Sequence, residues 1–508
     1  MGHRVISSLL SLCLLFSSAA AADESVPDAA TVLAKVLKND PVPKEFRRTT
    51  VTSVSNGAVR TVRHIKRDTD WREVSVFGPF HSESGVVKGQ GWHQNDNGQT
   101  VFDEPDPGIA APDPVTTTVT HVRTPVDAYV VAELNVRGWG TRRYVDPQTW
   151  HIVRFERITA NGTIATSYDD ERQDGGRVFA HHWSTVNGYA KTTSDTRVTA
   201  YDEALVSEAE VAVPNSRRLL VEFPPGVTTA KLPAQFVHGR VYVRMMVKGR
   251  GLDFVLDTGA AGITIDTTVA QQLGLTQYAP QSAVTAGRYG TARTIVPEMT
   301  IGNLSMHDVA VQIVPDGMLD GSSIKIVGLL GFDFLAELGI TIDYEHEQVT
   351  AVPEPAYTPP TGPNVIPLDV RIGDGSPYLN VTINGALSER FLLDTGGGGS
   401  LLIFDAFARK HPEALKDKGG GGNARRMRFA GIGGAIETQA YQLGSVRFGT
   451  VNFVDFVGYL VTAKHSYAGN SDGLIGAEFL RYFTLGLDYA NSRVYLVPND
   501  VGRRAITH

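Results

Sequence analysis

The chain has 508 residues, 42% of them hydrophobic and 20% charged, with a formal net charge of −7 at pH 7. This length allows two or three domains, and this apolar content excludes a disordered chain. The modest negative charge gives no reason to expect a nucleic acid as partner. The sequence shows no spacing typical of a metal site, so neither a metal nor another cofactor is expected.

The first 22 residues have the pattern of a secretory signal peptide. A short basic start at residues 1–4 is followed by an apolar run from Val5 to Phe16 and by small residues that end at Ala22. The apolar run is too short to span a membrane as a helix. The only cysteine, Cys13, lies within it, so the mature chain would contain no disulfide. We therefore expect an exported protein, periplasmic or secreted, that loses residues 1–22 by cleavage near Ala22.

Residues 23–215 are predicted to form a separate antiparallel β domain. Alternating apolar and polar residues, typical of strands with one solvated face, recur along this region. The runs are Arg47 to Val54, Val59 to Ile65, Trp71 to Phe77, Gly85 to Gln94, Thr163 to Asp170 and Arg177 to Val186. This succession of strands and turns resembles the curved half-barrel of periplasmic lipoprotein-carrier and lipoprotein-sorting domains. The resemblance implies a concave face that holds an apolar ligand. The alternative is a plain β domain that serves as pro-segment, cover or dimer platform.

Two copies of an Asp-Thr-Gly tripeptide, each at the end of an apolar run, form the most informative motif of the chain. They are Asp257-Thr258-Gly259 and Asp394-Thr395-Gly396. Each is followed, at a similar distance, by an apolar-apolar-Gly segment, first Leu329-Leu330-Gly331 and then Leu474-Ile475-Gly476. A single Asp-Thr-Gly can be an ordinary turn, but two copies in matched contexts favour a functional pair. A repeat of this length indicates two related domains.

These motifs resemble those of the retropepsin-like and pepsin-like aspartic proteases, over residues 230–498. The resemblance implies a mainly β fold with two tandem retropepsin-like acid-protease β-barrel domains, at residues 230–352 and 364–498. The proline-rich stretch 353–363 is predicted to be a semi-rigid linker. It would let the two copies form a pseudo-dimer within one chain, so a monomer is expected. In the competing arrangement, copy one pairs with copy one of a second chain.

The resemblance also assigns roles to the residues of the two loops. Asp257 and Asp394 would form the catalytic pair, sharing one proton and activating one water molecule. The residues that would brace and turn the two loops are Thr258, Gly259, Thr395 and Gly396. Copy two departs from the family pattern, because Gly397 to Ser400 reads Gly-Gly-Gly-Ser where Ala or Ser usually comes first. In copy one, Ile263 stands where the family usually has Ser or Thr, which puts the usual bracing hydroxyl in doubt.

A hairpin flap over the substrate cleft is expected in each copy. In copy two, residues 429–438 have extended arms around a glycine-rich tip that includes Gly433. In copy one, the equivalent segment is residues 286–291, where Tyr289 would project over the substrate. A surface tyrosine without that role is the alternative for Tyr289.

The sequence thus predicts an exported aspartic endopeptidase that acts on peptides or proteins. The ionised carboxylate would take a proton from the bound water while the protonated partner donates to the peptide carbonyl, a form of catalysis that contributes about 10²–10⁴-fold. No protease motif precedes residue 230, so the N-terminal region is expected to be dispensable for the chemistry. Two other classes stay open: a non-catalytic periplasmic binding or carrier protein with degenerate protease folds, and a structural or adaptor protein.

Overall fold

The computed structural model of this chain describes residues 26–103, 115–124, 126–135, 138–159, 162–284, 288–317, 324–373, 375–415, 426–431, 434–461 and 471–506. The predicted signal peptide, residues 1–22, lies outside the described residues. Within the described ranges, no helix is both long and apolar enough to cross a membrane.

The N-terminal region is a helix followed by 13 strands in one antiparallel sheet. Its elements are α1 (Ala29–Asn39), β1 (Glu45–Val54), β2 (Val59–Arg67), β3 (Asp70–Phe77), β4 (Phe80–Val87), β5 (Gln90–Gln94), β6 (Thr100–Phe102), β7 (Val115–Val122), β8 (Ala128–Asn135), β9 (Gly140–Val145), β10 (Ile152–Thr159), β11 (Gly162–Asp174), β12 (Arg177–Asn187), β13 (Thr192–Asp202) and α2 (Glu208–Val211). Two meanders, β1 to β6 and β7 to β13, join where β1 pairs with β13. Val32 of α1 packs against Tyr129, Val131 and Val145, so the helix covers one end of one sheet face.

The first protease-like repeat, here called lobe 1, comprises eleven strands and two short helices. They are β14 (Ala230–Leu232), β15 (Ala234–Val237), β16 (Arg240–Val247), β17 (Arg250–Leu256), β18 (Thr264–Asp266), α3 (Thr267–Gln272), β19 (Tyr278–Val284), β20 (Arg288–Ile301), β21 (Leu304–Val314), β22 (Ile326–Leu330), α4 (Phe332–Leu335), β23 (Leu338–Asp343) and β24 (Gln348–Pro353). All five residues of β22 are buried, which is why its sequence is a continuous apolar run rather than an alternating one.

The second repeat, here called lobe 2, follows the order of lobe 1 from β15 onwards, without a counterpart of β14 and with an additional helix at its end. Its elements are β25 (Ile366–Gly373), β26 (Ser376–Ile383), β27 (Ala386–Asp394), β28 (Leu401–Ile403), α5 (Asp405–Lys410), β29 (Arg426–Gly431), β30 (Gly434–Phe448), β31 (Val451–Val461), β32 (Gly473–Gly476), α6 (Ala477–Leu480), β33 (Phe483–Asp488), β34 (Arg493–Pro498) and α7 (Asp500–Ile506). Hydrogen-bonded neighbours run β26-β27-β32-β28-β31-β30, and β30 also pairs with β26, which closes a barrel.

The two lobes of this one chain share a sheet. Its strand order is β14-β24-β23-β33-β34-β25, and β23 of lobe 1 pairs with β33 of lobe 2 with Ile340 opposite Leu487. One hydrophobic core cluster includes buried residues of both lobes, among them Leu256 and Leu393 just before the two Asp-Thr-Gly loops. The fold is therefore mainly β, with the two repeats joined as a pseudo-dimer within the chain, as the sequence predicted.

The proline-rich stretch 353–363 connects β24 to β25 and contacts the shared sheet. After a short 3₁₀ turn at Glu354–Ala356, the ring of Tyr357 packs against Gly339 of β23. A Cβ added at Gly339 would lie 2.1 Å from that ring, so only glycine fits there. At its start, the connection thus packs against the sheet that the two lobes share.

Candidate active site

The two Asp-Thr-Gly loops lie at the ends of corresponding strands. Asp257 follows β17 and Asp394 is the last residue of β27. Each strand pairs in parallel with the short strand that contains the apolar residues of the later apolar-apolar-Gly segment. β17 pairs with β22, and β27 pairs with β32. A Cβ at Gly331 would lie 2.3 Å from the carbonyl oxygen of Ala260 in the first loop. A Cβ at Gly476 would lie 2.6 Å from the carbonyl oxygen of Gly399 in the second loop. Glycine is required because each later segment passes directly beneath its loop.

Thr258 and Thr395 connect the two loops by reciprocal hydrogen bonds. The backbone N–H of Thr258 donates to Oγ1 of Thr395 at 3.0 Å, and the N–H of Thr395 donates to Oγ1 of Thr258 at 3.0 Å. Each hydroxyl then donates across the lobe boundary at 2.7 Å, to the carbonyl oxygens of Leu393 and Leu256. Both threonines are fully buried. Four buried bonds therefore hold the loops at a fixed separation.

The carboxylates of Asp257 and Asp394 meet at the junction of the lobes. They are hydrogen-bonded to each other, and Asp257 is only 8% exposed. A Cβ at Gly396 would lie 2.3 Å from Cγ of Asp257, and a Cβ at Gly259 would lie 2.8 Å from Cγ of Asp394. Each loop glycine thus allows the carboxylate of the opposite lobe to approach. The structure brings together all six residues that the sequence placed in the two loops.

Burial and mutual charge alter the acidity of this pair. Burial, followed by the negative charge of Asp394, raises the pKa of Asp257 well above its usual value. Burial also raises the pKa of Asp394, against hydrogen bonds from Asp257, Gly397 and Gly396 that lower it. Two adjacent carboxylates in a buried site cannot both ionise at low cost, so the pair retains a proton.

The backbone donors to the two carboxylates differ in number among the described residues. Oδ1 of Asp257 accepts one N–H bond, from Gly259 at 2.8 Å. Oδ1 of Asp394 accepts two, from Gly396 at 3.0 Å and from Gly397 at 2.7 Å. Because N–H donors stabilise the ionised form, Asp394 is the better site for the negative charge and Asp257 the better site for the shared proton.

Arg240 is a site residue that the sequence analysis did not single out. It begins β16, and its Nε donates to the carbonyl oxygen of Gly396 at 2.9 Å, across the lobe boundary. Its positive charge lowers the pKa of both Asp257 and Asp394. The sequence feature that could have indicated Arg240 is its position at the start of the strand that precedes the first Asp-Thr-Gly motif.

The bracing hydroxyl that Ile263 lacks is supplied by the next residue, Thr264. Ile263 is buried, and Oγ1 of Thr264 accepts the backbone N–H of Leu329 at 2.9 Å. The bond ties the strand that follows the first loop to β22. The bracing that the sequence put in doubt is therefore present, one residue further along.

Of the two predicted flap residues, Tyr289 lies within the part of the chain that the structure describes and Gly433 does not. Tyr289 lies in β20, opposite Ala283 of β19. Residues 285–287 and Gly433 lie outside the described residues. β29 ends at Gly431 and β30 begins at Gly434, and the two strands pair up to these glycines. The role of both residues over a substrate stays a prediction.

No group of three or more His, Cys, Asp or Glu side chains that could hold a metal ion occurs in the described ranges. The candidate site consists instead of two carboxylates, one arginine, two hydroxyls and backbone N–H groups.

Comparison with known proteins finds one family model that matches both lobes. The family model for aspartyl proteases matches residues 243–334 and 379–479, so it is matched twice in tandem. Each matched region contains one Asp-Thr-Gly loop and one of the glycine segments, and no curated protein sequence matches the chain.

Three solved structures show weak likenesses. An outer-membrane lipoprotein-sorting protein domain from Vibrio parahaemolyticus has 8% identity, covers 36% of this chain and 94% of its own, and has a TM-score of 0.28. A LolA-superfamily protein from Nitrosomonas europaea has 9% identity, covers 37% of this chain and 98% of its own, and has a TM-score of 0.29. Basic 7S globulin from soybean has 10% identity, coverages of 55% and 97%, and a TM-score of 0.32. At these scores, no functional inference rests on them.

The tandem match and the paired loops agree, because each matched region lies within one of the two lobes that meet at the carboxylate pair. The aspartyl protease family model thus matches both lobes of this chain, one after the other.

Proposed function

We propose that this protein is an aspartic endopeptidase in which Asp257 and Asp394 activate a water molecule for peptide-bond hydrolysis. The observation that carries the proposal is the hydrogen-bonded carboxylate pair at the junction of the two lobes, in which each carboxyl group packs against the loop glycine of the opposite lobe. The reciprocal threonine bonds support it, because they hold both carboxylates in a fixed geometry. The tandem match to the aspartyl protease family agrees with this chemistry.

In the proposed reaction, a water molecule lies between the two carboxylates and the substrate carbonyl. Ionised Asp394 takes a proton from the water while the water oxygen attacks the carbonyl carbon. At the same time, protonated Asp257 donates its proton to the carbonyl oxygen. The tetrahedral diol then collapses: the C–N bond breaks, Asp394 delivers its proton to the leaving amine, and Asp257 recovers a proton from the diol. The pair therefore returns to its starting state with one shared proton.

An unbiased peptide-cleavage assay on the full chain tests the proposal. We expect internal cleavage of peptides, and we expect a statine-type inhibitor, which mimics the tetrahedral diol, to stop it. A bell-shaped pH profile is expected, because activity needs one proton on the pair and is lost when the pair holds either two protons or none. A folded chain that binds the inhibitor but cleaves no peptide would favour the alternative, a binding protein with degenerate protease folds.

Export is part of the same proposal. It rests on the signal pattern of residues 1–22 in the sequence, and sequencing the N-terminus of the mature protein tests it. A mature protein that retains Met1 would contradict it.

A second candidate activity, ligand binding by the N-terminal sheet, is favoured by one arginine. Nε of Arg48 in β1 is buried and has no hydrogen-bond partner among the described residues. Its guanidinium lies 5.8 Å from the ring of Trp183 and 6.0 Å from that of Phe46. Burial and the charge of Arg177 lower the pKa of Arg48. Arg48 is half-buried and interacts with the charge of Glu73, but its Nε still lacks a partner, so an apolar ligand with an anionic group fits this position.

Decanoate and its uncharged analogue decanol test this second candidate. We expect decanoate to change the fluorescence of the full chain at lower concentration than decanol, and Arg48→Met to remove that difference. Arg63→Met is the matched control, because Arg63 points from β2 to the opposite face of the sheet. Equal responses to decanoate in the native chain and Arg48→Met would contradict the assignment.

A further inference from the structure

The turn between β5 and β6 of the N-terminal sheet contacts lobe 1 close to the first catalytic loop. Asp333 of α4 lies at the centre of this contact and is 8% exposed. Its Oδ1 accepts a hydrogen bond from Nδ2 of Asn95 at 2.8 Å, and its Oδ2 accepts one from Nδ2 of Asn97 at 2.9 Å. Gln99 adds a bond from Nε2 to the carbonyl oxygen of Asp333 at 2.8 Å. Three side chains of one turn thus converge on one residue.

Both asparagine amides are oriented by other hydrogen bonds, so that each can only donate to Asp333. Oδ1 of Asn95 accepts the backbone N–H of Gln99 at 3.0 Å. Oδ1 of Asn97 accepts the N–H of Ala310 at 2.8 Å, while its Nδ2 also donates to the carbonyl oxygen of Ala310 at 3.1 Å. Residue 333 must therefore present two acceptors. Burial raises the pKa of the Asp333 carboxyl to about 7, against hydrogen bonds from Asn97 and Ile263 that lower it.

Asp333 connects this turn to the loop that carries Asp257. The backbone N–H of Ile263, at the end of the loop, donates to the Asp333 carboxylate. A Cβ at Gly262 would lie 2.9 Å from Oδ2 of Asp333, so the loop backbone packs directly on this side chain. The N–H of the neighbouring Phe332 donates to the carbonyl oxygen of Ala260 at 2.9 Å. The loop is thus bonded to α4 at both ends of residues 260–263.

The corresponding position in lobe 2 has a different environment. Glu478 occupies it, at the start of α6, and its side chain is 44% exposed and forms an ion pair with Arg481 at 3.7 Å. Only the loop of lobe 1 is therefore supported by the N-terminal sheet through this position, as far as the described residues show. The difference provides an internal control.

We propose that Asn95 and Asn97 are positioning residues that hold the Asp257 loop in its catalytic geometry through Asp333. This inference rests on the proposed protease function and adds the N-terminal sheet to the catalytic unit. It replaces the expectation that residues before 230 are dispensable for the chemistry. The physical reason is that catalytic geometry is sensitive to displacements of about 1 Å, which can cost about 10²-fold in rate.

Asn95→Asp in the full chain is the test variant. The new carboxyl group keeps an acceptor for the N–H of Gln99, so the turn is retained, but Oδ1 of Asp333 loses its amide donor and faces a second acidic oxygen instead. We expect kcat per titrated active site to fall about tenfold or more with a smaller change in KM. We also expect faster hydrogen–deuterium exchange in residues 257–263. Glu478→Gln is the matched control and should change neither quantity.

The outcomes separate this proposal from the proposed function. Native kcat per active site together with native exchange in Asn95→Asp would overturn the positioning role. So would a lower fraction of inhibitor-titratable sites with an unchanged kcat per site, since that result indicates stability alone. If the native chain cleaves no peptide, the proposed function fails, and the exchange of residues 257–263 then decides the positioning role by itself. Asn97→Ser, at the second amide, should reproduce the effect in both measurements.

Discussion

Peptide cleavage should be abolished by Asp257→Asn and equally by Asp394→Asn. Each change keeps the shape of the side chain and removes one carboxyl group, so the pair loses either its shared proton or its base. The two single variants and the double variant should show similar losses, because the residues act as a unit. The measurement is kcat/KM on a peptide identified by the cleavage assay, with folding checked by thermal unfolding. Asp455→Asn, at an exposed position with φ of 52°, is a control that should keep native activity.

Dilution distinguishes the intramolecular pair from its competitor. The shared sheet joins β23 and β33 of one chain, so the specific activity should not change as the protein is diluted. Pairing of lobe 1 with lobe 1 of a second chain would make the activity fall on dilution and would leave Asp394→Asn active. Either of those results would contradict an Asp257–Asp394 pair within one chain.

A large loss of both stability and activity is expected from Thr258→Val and from Thr395→Val. Valine has the shape of threonine, but it leaves two buried backbone groups without partners, for Thr258 the N–H of Thr395 and the carbonyl of Leu393. Each such group costs about 1–3 kcal/mol, so the free energy of unfolding should fall by about 2–6 kcal/mol. Because the same bonds set the separation of the carboxylates, kcat should fall about 10²-fold.

The serine variants provide the control for this second prediction. Thr258→Ser and Thr395→Ser keep the hydroxyl, and they should retain most of the activity and stability after loss of one buried methyl group. Chemical denaturation gives the free energy of unfolding, and kcat is measured on the same preparations. Native stability in both valine variants would show that the reciprocal bonds do not hold the lobes together.

The sequence by itself determined the fold class and the residues of the candidate pair. Two Asp-Thr-Gly tripeptides at the ends of apolar runs, with Gly331 and Gly476 later in each repeat, carried the resemblance that implied two β-barrels paired within one chain. This succeeded because the close approach of backbone beneath each loop admits only glycine, and because β22 and β32 are buried throughout and so must be apolar. Such constraints are local and leave a clear pattern in the chain.

Only the tertiary structure decided how the remaining charged and polar residues act. Asn95 and Asn97 lie 238 and 236 residues before Asp333 in the chain, and their contact with it depends on how the N-terminal sheet packs against lobe 1. Arg240 reaches Gly396 across the lobe boundary for the same reason. The extra N–H of Gly397, which favours the negative charge on Asp394, belongs to the glycine run at which copy two departs from the family pattern. Hydrogen bonds between distant segments follow from packing geometry, and no short-range pattern in the sequence records them.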